Sequence, residues 1–403
     1  MLTELMGWDW TTGLQRYGSW WRQHRRAIHQ TFNEHAAKQF WPLLAGKNAR
    51  FLRLLVDTPE DFWAHIRWLA GANILATTYG IDAAARDDPY IQLGEEALSV
   101  ASKAGGAGVY LVDVLPVLKH IPDWFPGAQF KRDAKVWKVI AERARDEPHE
   151  FVVKQMAAGK ARPSMTSRLL EAELDGMPIP EEVIKNCTGT VLFAGADTSV
   201  GTMNAFFLCM ARNPDVQRTA QAELDALGRL PELTDRAAGK LPYVEATLRE
   251  VFRRFPPLPL GVPRRAMQDD VYNGMRIPKD AFVLANIWGM LHDEQTYPDP
   301  ERFYPERHLG PNAQRDPRSI LFGFSRRSCQ GMHFAEPEVW LMMATVLYCF
   351  DIAPKTSEDG GLPSEQMSAG VVSSVEKFEC AITLRSKGKA ALIYEAVQDE
   401  RFR

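Results

Sequence analysis

The stretch FGFSRRSCQG, Phe322 to Gly331, sets a cysteine in a turn of glycine and arginine just ahead of a helical stretch that runs on to Phe350. A sulfur at that position has a helix N-terminus and Arg327 close by, and both draw a thiol toward the thiolate from its usual value of about 8.5. A thiolate can bind a metal, whereas a buried neutral thiol merely packs. Taken alone, Cys329 reads as a packed thiol more often than as a ligand, so its meaning depends on what the rest of the chain brings to it.

Upstream, Glu181 to Arg212 reads as one long helix. It starts after Pro180 with Glu181 and Glu182 in its first turn and stops before Asn213-Pro214. Its 32 residues at 1.5 Å each reach about 48 Å. The run VLFAGADTSVGTMNAFFLCM is apolar on all sides, which predicts a buried helix with one large domain, residues 1–403, wrapped around it. In its middle lies AGADT, Ala194 to Thr198. Asp197 has no basic residue at i±3 or i±4, and a buried aspartate is costly without a partner or a task. Ala194 and Thr198 share a face, Gly195 beside them permits close approach, and Asp197 points about 100° away. A threonine that only bonds its i−4 carbonyl is the blander reading.

Three further patterns carry charge. In WRQHR, Trp21 and Arg25 are i,i+4 neighbours, so an indole N–H and a guanidinium can converge on one anion, although a solvated basic face reads equally simply. In EVFR, Glu250 and Arg253 are i,i+3 neighbours, a spacing that alone marks a surface ion pair worth about 0–1 kcal/mol. FYPERHL adds Arg307 from a proline-rich coil, Pro298 to Arg318, expected to be ordered. PLGVPRR offers Arg264, with Arg265 as its rival.

The spacing F-x-x-x-x-R-x-C-x-G, carried by Phe322, Arg327, Cys329 and Gly331, resembles the haem-binding loop of the cytochrome P-450 family. The other segments occur in the order that family requires. Ser325 stands where a glycine is usual and Gln330 where proline is common; a tight turn under a flat cofactor needs φ > 0 or close backbone approach at such a glycine. The resemblance implies the P-450 fold, mainly α with small β-sheets (α+β), and haem b (iron protoporphyrin IX) with Cys329 as its metal ligand. It implies Trp21, Arg25, Ala194, Gly195, Arg264, Phe322, Arg327 and Gly331 as further haem contacts. Asp197 and Thr198 become the catalytic pair for proton delivery to oxygen, and Glu250, Arg253 and Arg307 a structural triad. Substrate contacts are expected at Leu192, Phe193, Leu260, Val262, Val371 and Val372; because these are apolar, the substrate is expected to be lipophilic.

Without a flavin or iron–sulfur motif in the sequence, electrons are expected from a separate NADPH-dependent reductase, docking near Arg315, Arg318 and Arg326, with O2 as co-substrate and the protein monomeric. The wording YGSWWRQHRRAIHQTF is most similar to the fungal microsomal branch, a branch of secondary metabolism whose members have an N-terminal portion, with an anchor and the first sheet strands, before this point. The resemblance therefore implies a chain lacking that portion, with exposed strand edges and apolar surface. It also implies the endoplasmic reticulum membrane as location, although no transmembrane segment is read in this chain; the cytoplasm is the other expectation. The alternative functions are a non-catalytic remnant that holds haem weakly or not at all, and a haem-thiolate isomerase or dehydratase, against which Asp197 and Thr198 speak.

Composition agrees by exclusion. With 48 basic and 51 acidic residues there is no global basic field for nucleic acid. The 5 cysteines are scattered without a C-x-x-C pair, which fits neither a disulfide framework nor a zinc ribbon. No G-x-S-x-G, H-E-x-x-H or phosphate-binding glycine loop occurs. The cluster Gly105-Gly106-Ala107-Gly108 lacks the dinucleotide fingerprint and is expected to be a flexible loop.

Overall fold

The computed structural model describes residues 1–105, 109–355 and 361–399; most of the glycine cluster, residues 106–108, lies outside them. Ten helices of ten or more residues occur among the described residues. They are α1 Ser19–Phe32, α2 Trp41–Asp57, α3 Phe62–Tyr79, α4 Pro89–Gly105, α5 Gln129–Ala157, α6 Glu181–Arg212, α7 Pro214–Asp225, α8 Pro242–Arg254, α9 Met332–Cys349 and α10 Lys387–Gln398. All β-structure among the described residues is in two-stranded antiparallel pairs and one isolated bridge. The architecture is helical with small sheets.

The α6 helix has the expected bounds, because Pro180 and the two glutamates open it and Asn213 closes it before the proline that starts α7. By length and composition it could cross a bilayer, but 67% of its most apolar window is buried. It is packed by α3, α1, α5, α9, α4 and α8, so its apolar circumference is consumed by neighbouring helices. The approach of α3 is close: a Cβ on Gly195 would sit 2.7 Å from Ile74 Cδ1. Gly195 is therefore demanded by helix–helix packing.

The Asn273-Gly274 signal forms a hairpin between Asp270–Tyr272 and Met275–Ile277, with both turn residues at positive φ (48° and 77°). Within the apolar run from Ala281 to Ala285 only Phe282–Val283 forms a strand, paired with Arg264–Arg265. Around these strands Met267, Val271, Tyr272, Met275, Phe282 and Leu284 are exposed. KFECAITL supplies the strand Cys380–Leu384, which pairs with Phe350–Pro354 directly after α9.

Glu250, near the end of α8, is fully buried and binds the coil that precedes the cysteine loop. Its carboxylate accepts from Arg253 Nε and Nη2 (both 2.9 Å), from Arg307 Nε (3.1 Å), from the Tyr304 amide (3.0 Å) and pairs with His308 Nε2 (2.9 Å). The two arginines spend their remaining donors on the carbonyls of Leu291, Pro298, Asp299 and Pro300. The surface ion pair suggested by spacing alone is in fact an interior node, and it orders the coil from Pro298 to Arg318.

Burial alone would raise the Glu250 carboxyl, but the His308 and Arg253 hydrogen bonds and the two guanidinium charges outweigh it and hold it at about 2. A folded-state value below the unfolded one favours folding above the ordinary carboxylate range, and that contribution is lost as pH falls toward 2. Glu250→Gln is expected to cost about 3–5 kcal/mol in urea unfolding at neutral pH, since it leaves buried guanidinium charge uncompensated. The variant should also show a shallower loss of stability on acidification between about pH 4.5 and 2 than the parent protein.

Candidate active site around Cys329

Cys329 follows a short turn, Ser325–Arg327, and precedes Gly331, the residue that caps α9. Its amide donates to the Phe322 carbonyl at 2.7 Å, closing the loop on itself. Gly323 and Ser325 both have positive φ (75° and 50°). The serine thus holds the left-handed backbone for which a glycine is the unstrained choice, as the departure from the family pattern implies. Gln330, the second departure, has a use: its Nε2 donates to the Arg25 carbonyl at 2.7 Å and ties the loop to α1.

Cys329 is exposed as a residue, and yet its sulfur is crowded by protein. That crowding raises the thiol above its ordinary value. The Gly331 and Met332 backbone amides and the Arg25 charge oppose the rise. The expectation that Arg327 does this is corrected: Arg327 instead stacks over the Trp21 ring, 4.2 Å from its centroid.

Arg25, Arg264 and Arg327 converge beside the loop. Each donates to a main-chain carbonyl, of Ser328 (2.9 Å), Gly13 (3.2 Å) and Gln15 (3.0 Å) respectively. Burial lowers all three, Arg327 to about 10, and mutual repulsion adds to the effect at Arg25 and Arg327. No carboxylate pairs with any of them among the described residues, so the cluster calls for an anion. Arg265 turns outward to Asp280 at 2.9 Å, which separates it from its rival.

The middle of α6 interrupts an otherwise buried helix: Ala194 is exposed and residues 195–198 are partly so, while Leu192, Phe193, Ser199 and Val200 are buried. The Thr198 hydroxyl donates to the Ala194 carbonyl at 2.8 Å. The bland threonine bond is therefore present, and it leaves the oxygen's lone pairs free to accept. Burial raises the Asp197 carboxyl, with Arg67 opposing and Glu95 adding to the rise.

Sequence reading missed Glu338 on α9. This carboxyl is buried and pushed up to about 7 by desolvation, against hydrogen bonds from Ser199 Oγ (2.7 Å) and Asn73 Nδ2 (2.9 Å). It pins α9 to α6 and α3, and the signal available was an uncompensated acid in an apolar helix. Of the expected substrate contacts, Leu260 is exposed, and Val262, Val371 and Val372 are half-buried. Phe193 is instead enclosed, with Trp8 and Trp10 at 4.8 Å and 5.7 Å. An aromatic cluster absorbs it.

The cytochrome P450 family profile matches residues 13–380. The chain belongs to the cytochrome P450 family. It is 39% identical to a cytochrome P450 monooxygenase of Armillaria gallica over 98% of this chain and 79% of that protein. It is 40% identical to cytochrome P450 monooxygenase 208 of Postia placenta over 98% and 78% of the two chains. A tryptamine 4-monooxygenase of Psilocybe cyanescens is 40% identical over 96% and 78%. This cytochrome P450 is accordingly a haem-thiolate monooxygenase, working with O2, a redox partner and a small-molecule substrate, and nothing among these relatives favours a non-catalytic remnant.

The family implies a haem iron, and the residues present fit one. An exposed cysteine lies in a closed loop, three guanidiniums lack a carboxylate, and the accessible Ala194 interrupts a buried helix. That combination suits a flat apolar macrocycle with an anionic edge. Ser325→Gly should relieve the left-handed strain in the P450 loop. The expected gain is about 1 kcal/mol, read in chemical denaturation. An unchanged or lower stability would show that the serine makes a compensating contact.

Proposed function

We propose that residues 1–403 form a single P450 catalytic domain that holds haem b and hydroxylates a lipophilic small molecule with electrons from a separate NADPH-dependent reductase. The observation that carries this reading is the Cys329 loop: an exposed cysteine, its sulfur crowded by protein, next to three arginines that lack a counter-ion. When bound, haem supplies the oxygen-activating chemistry, and the protein contributes the thiolate, proton handling and a shaped pocket.

In this reading Cys329 ligates the iron. Trp21, Arg25, Arg264 and Arg327 hold the propionates, and Phe322, Gly331 and Ala194 border the ring. Gly195 serves by letting α3 approach α6. Thr198 accepts a hydrogen bond at the accessible stretch while its own O–H donates to the Ala194 carbonyl, and Asp197 carries protons to it. Glu250, Arg253 and Arg307 hold the coil that leads to the loop. Leu260, Val262, Val371 and Val372 form the apolar wall; Leu192 and Phe193 act from behind it, Phe193 as part of the tryptophan cluster.

For reductase docking, Arg326 is exposed and Arg315 is likewise at the surface. Arg318 drops out of the expected set, because it is committed to Asp316, Glu245 and Glu336. Arg326→Glu is expected to slow reduction by an acidic reductase several-fold at low salt and less at high salt; equal rates would remove this surface from the interface.

In this reading the protein is a monomer that works at the endoplasmic reticulum membrane. Supporting this, Leu111, Val114, Leu115, Val117, Trp124 and Phe125 are exposed together between α4 and α5, an apolar segment suited to a lipid surface. The central test is spectroscopic. Reduced protein treated with carbon monoxide should give the red-shifted thiolate Soret band, and Cys329→Ala should lose it. Absence of any haem spectrum in the parent protein would favour a remnant that does not hold haem.

A further inference from the structure

A cleft of about 440 Å³ lies against α6, lined by Leu192, Ala196, Asp197 and Val200, by Arg67 of α3, and by Glu95 of α4 among others. At 100° per residue, Leu192, Ala196 and Val200 form a face roughly opposite the one shared by Ala194 and Thr198. Asp197 falls on the flank between them. It is thus the one acid of this helix segment placed to touch the side cleft and reach around to the Thr198 side.

The charges around it are few. Arg67 is the cation acting on Asp197 and Glu95 the anion. Lys103 and Tyr90 of α4 also line the cleft, and its Ala369–Gly370 wall contributes no charge. Arg67, however, does not pair with Asp197. Its Nη1 donates to Glu95 Oε1 at 3.1 Å, across the gap between α3 and α4.

We propose that the Arg67–Glu95 ion pair is an electrostatic gate for Asp197: Glu95 holds Arg67 off the aspartate and so keeps Asp197 able to take up protons from the side cleft. Glu95 and Arg67 are positioning residues in this scheme, and Asp197 is the group that exchanges the proton. Without the glutamate, Arg67 is free to cap Asp197, fix it as the carboxylate and close the route. Both partners of the pair are partly exposed, so the restraint weakens with ionic strength. The inference rests on the proposed role of Asp197 as proton carrier and adds what controls it.

The test is an infrared pH titration of the Asp197 carboxyl in the purified full chain, assigned by difference from Asp197→Asn. Glu95→Gln should lower its midpoint and Arg67→Met raise it, each by roughly one unit. Arg67→Lys should stay near the parent value, and the double variant should return toward it. Shifts in one direction for both variants, or none, would overturn the gate. In turnover, the acidic and basic limbs of the pH profile should move with the infrared midpoints. Opposed infrared shifts with an unmoved profile would overturn the gate's part in proton delivery. Unimpaired turnover of Asp197→Asn would separately sink the role of the aspartate, whatever the midpoints do.

Discussion

One buried carboxylate organises the coil that leads to the cysteine loop. Glu250 accepts from α8, from the coil and from the Tyr304 amide at once, and without it two guanidiniums would lie in the interior with nothing to neutralise them. Such a node adds little net stability over a well-packed apolar one, but breaking it is expensive. Its value here is geometric. A coil with no regular hydrogen-bond ladder of its own is fixed by side chains that bond its carbonyls, and the cysteine loop is strung from the end of that coil.

The opposite electrostatic arrangement holds a few residues further on. Around Glu250 every positive charge has a partner, whereas Arg25, Arg264 and Arg327 repel one another and face no acid. A fold that tolerates this keeps the imbalance for an external anion. The sulfur lies beside the same cluster: Arg25 acts on Cys329 while its main-chain carbonyl accepts from Gln330, so one helix residue serves the charge and the position of the loop together.

Much of this was legible in sequence, and the limits have physical causes. The α6 bounds followed from proline and glutamate at its start and Asn213-Pro214 at its end, all local signals. The Asn273-Gly274 hairpin was equally local. The need for a left-handed residue at Ser325 was visible because a glycine was missing from a turn that wants one. What escaped depends on three-dimensional neighbours. Nothing in the spacing of Glu250 and Arg253 distinguishes an exposed pair from a buried node, since burial is decided by the coil some fifty residues later. Gly195 was visible as a close-approach site, but that the neighbour is Ile74 required α3 in place. Phe193 was expected at the substrate from the family resemblance, and it meets two tryptophans from the start of the chain. Glu338 needed both of its donors, from helices far away in sequence.

The bond from Gln330 to the Arg25 carbonyl joins residues separated by 305 positions. On a ribosome, α1 cannot meet its partner until the 305 residues that follow Arg25 have been synthesised. Contacts of such sequence separation form late because loop closure must precede them. The cysteine loop and α1 therefore close around a common centre only after α6 and its helical neighbours from α3 to α5 are already available as a scaffold. Loading of a prosthetic group into this fold accordingly follows the folding of that scaffold, and the unpaired arginines of the half-built site must stay hydrated until then.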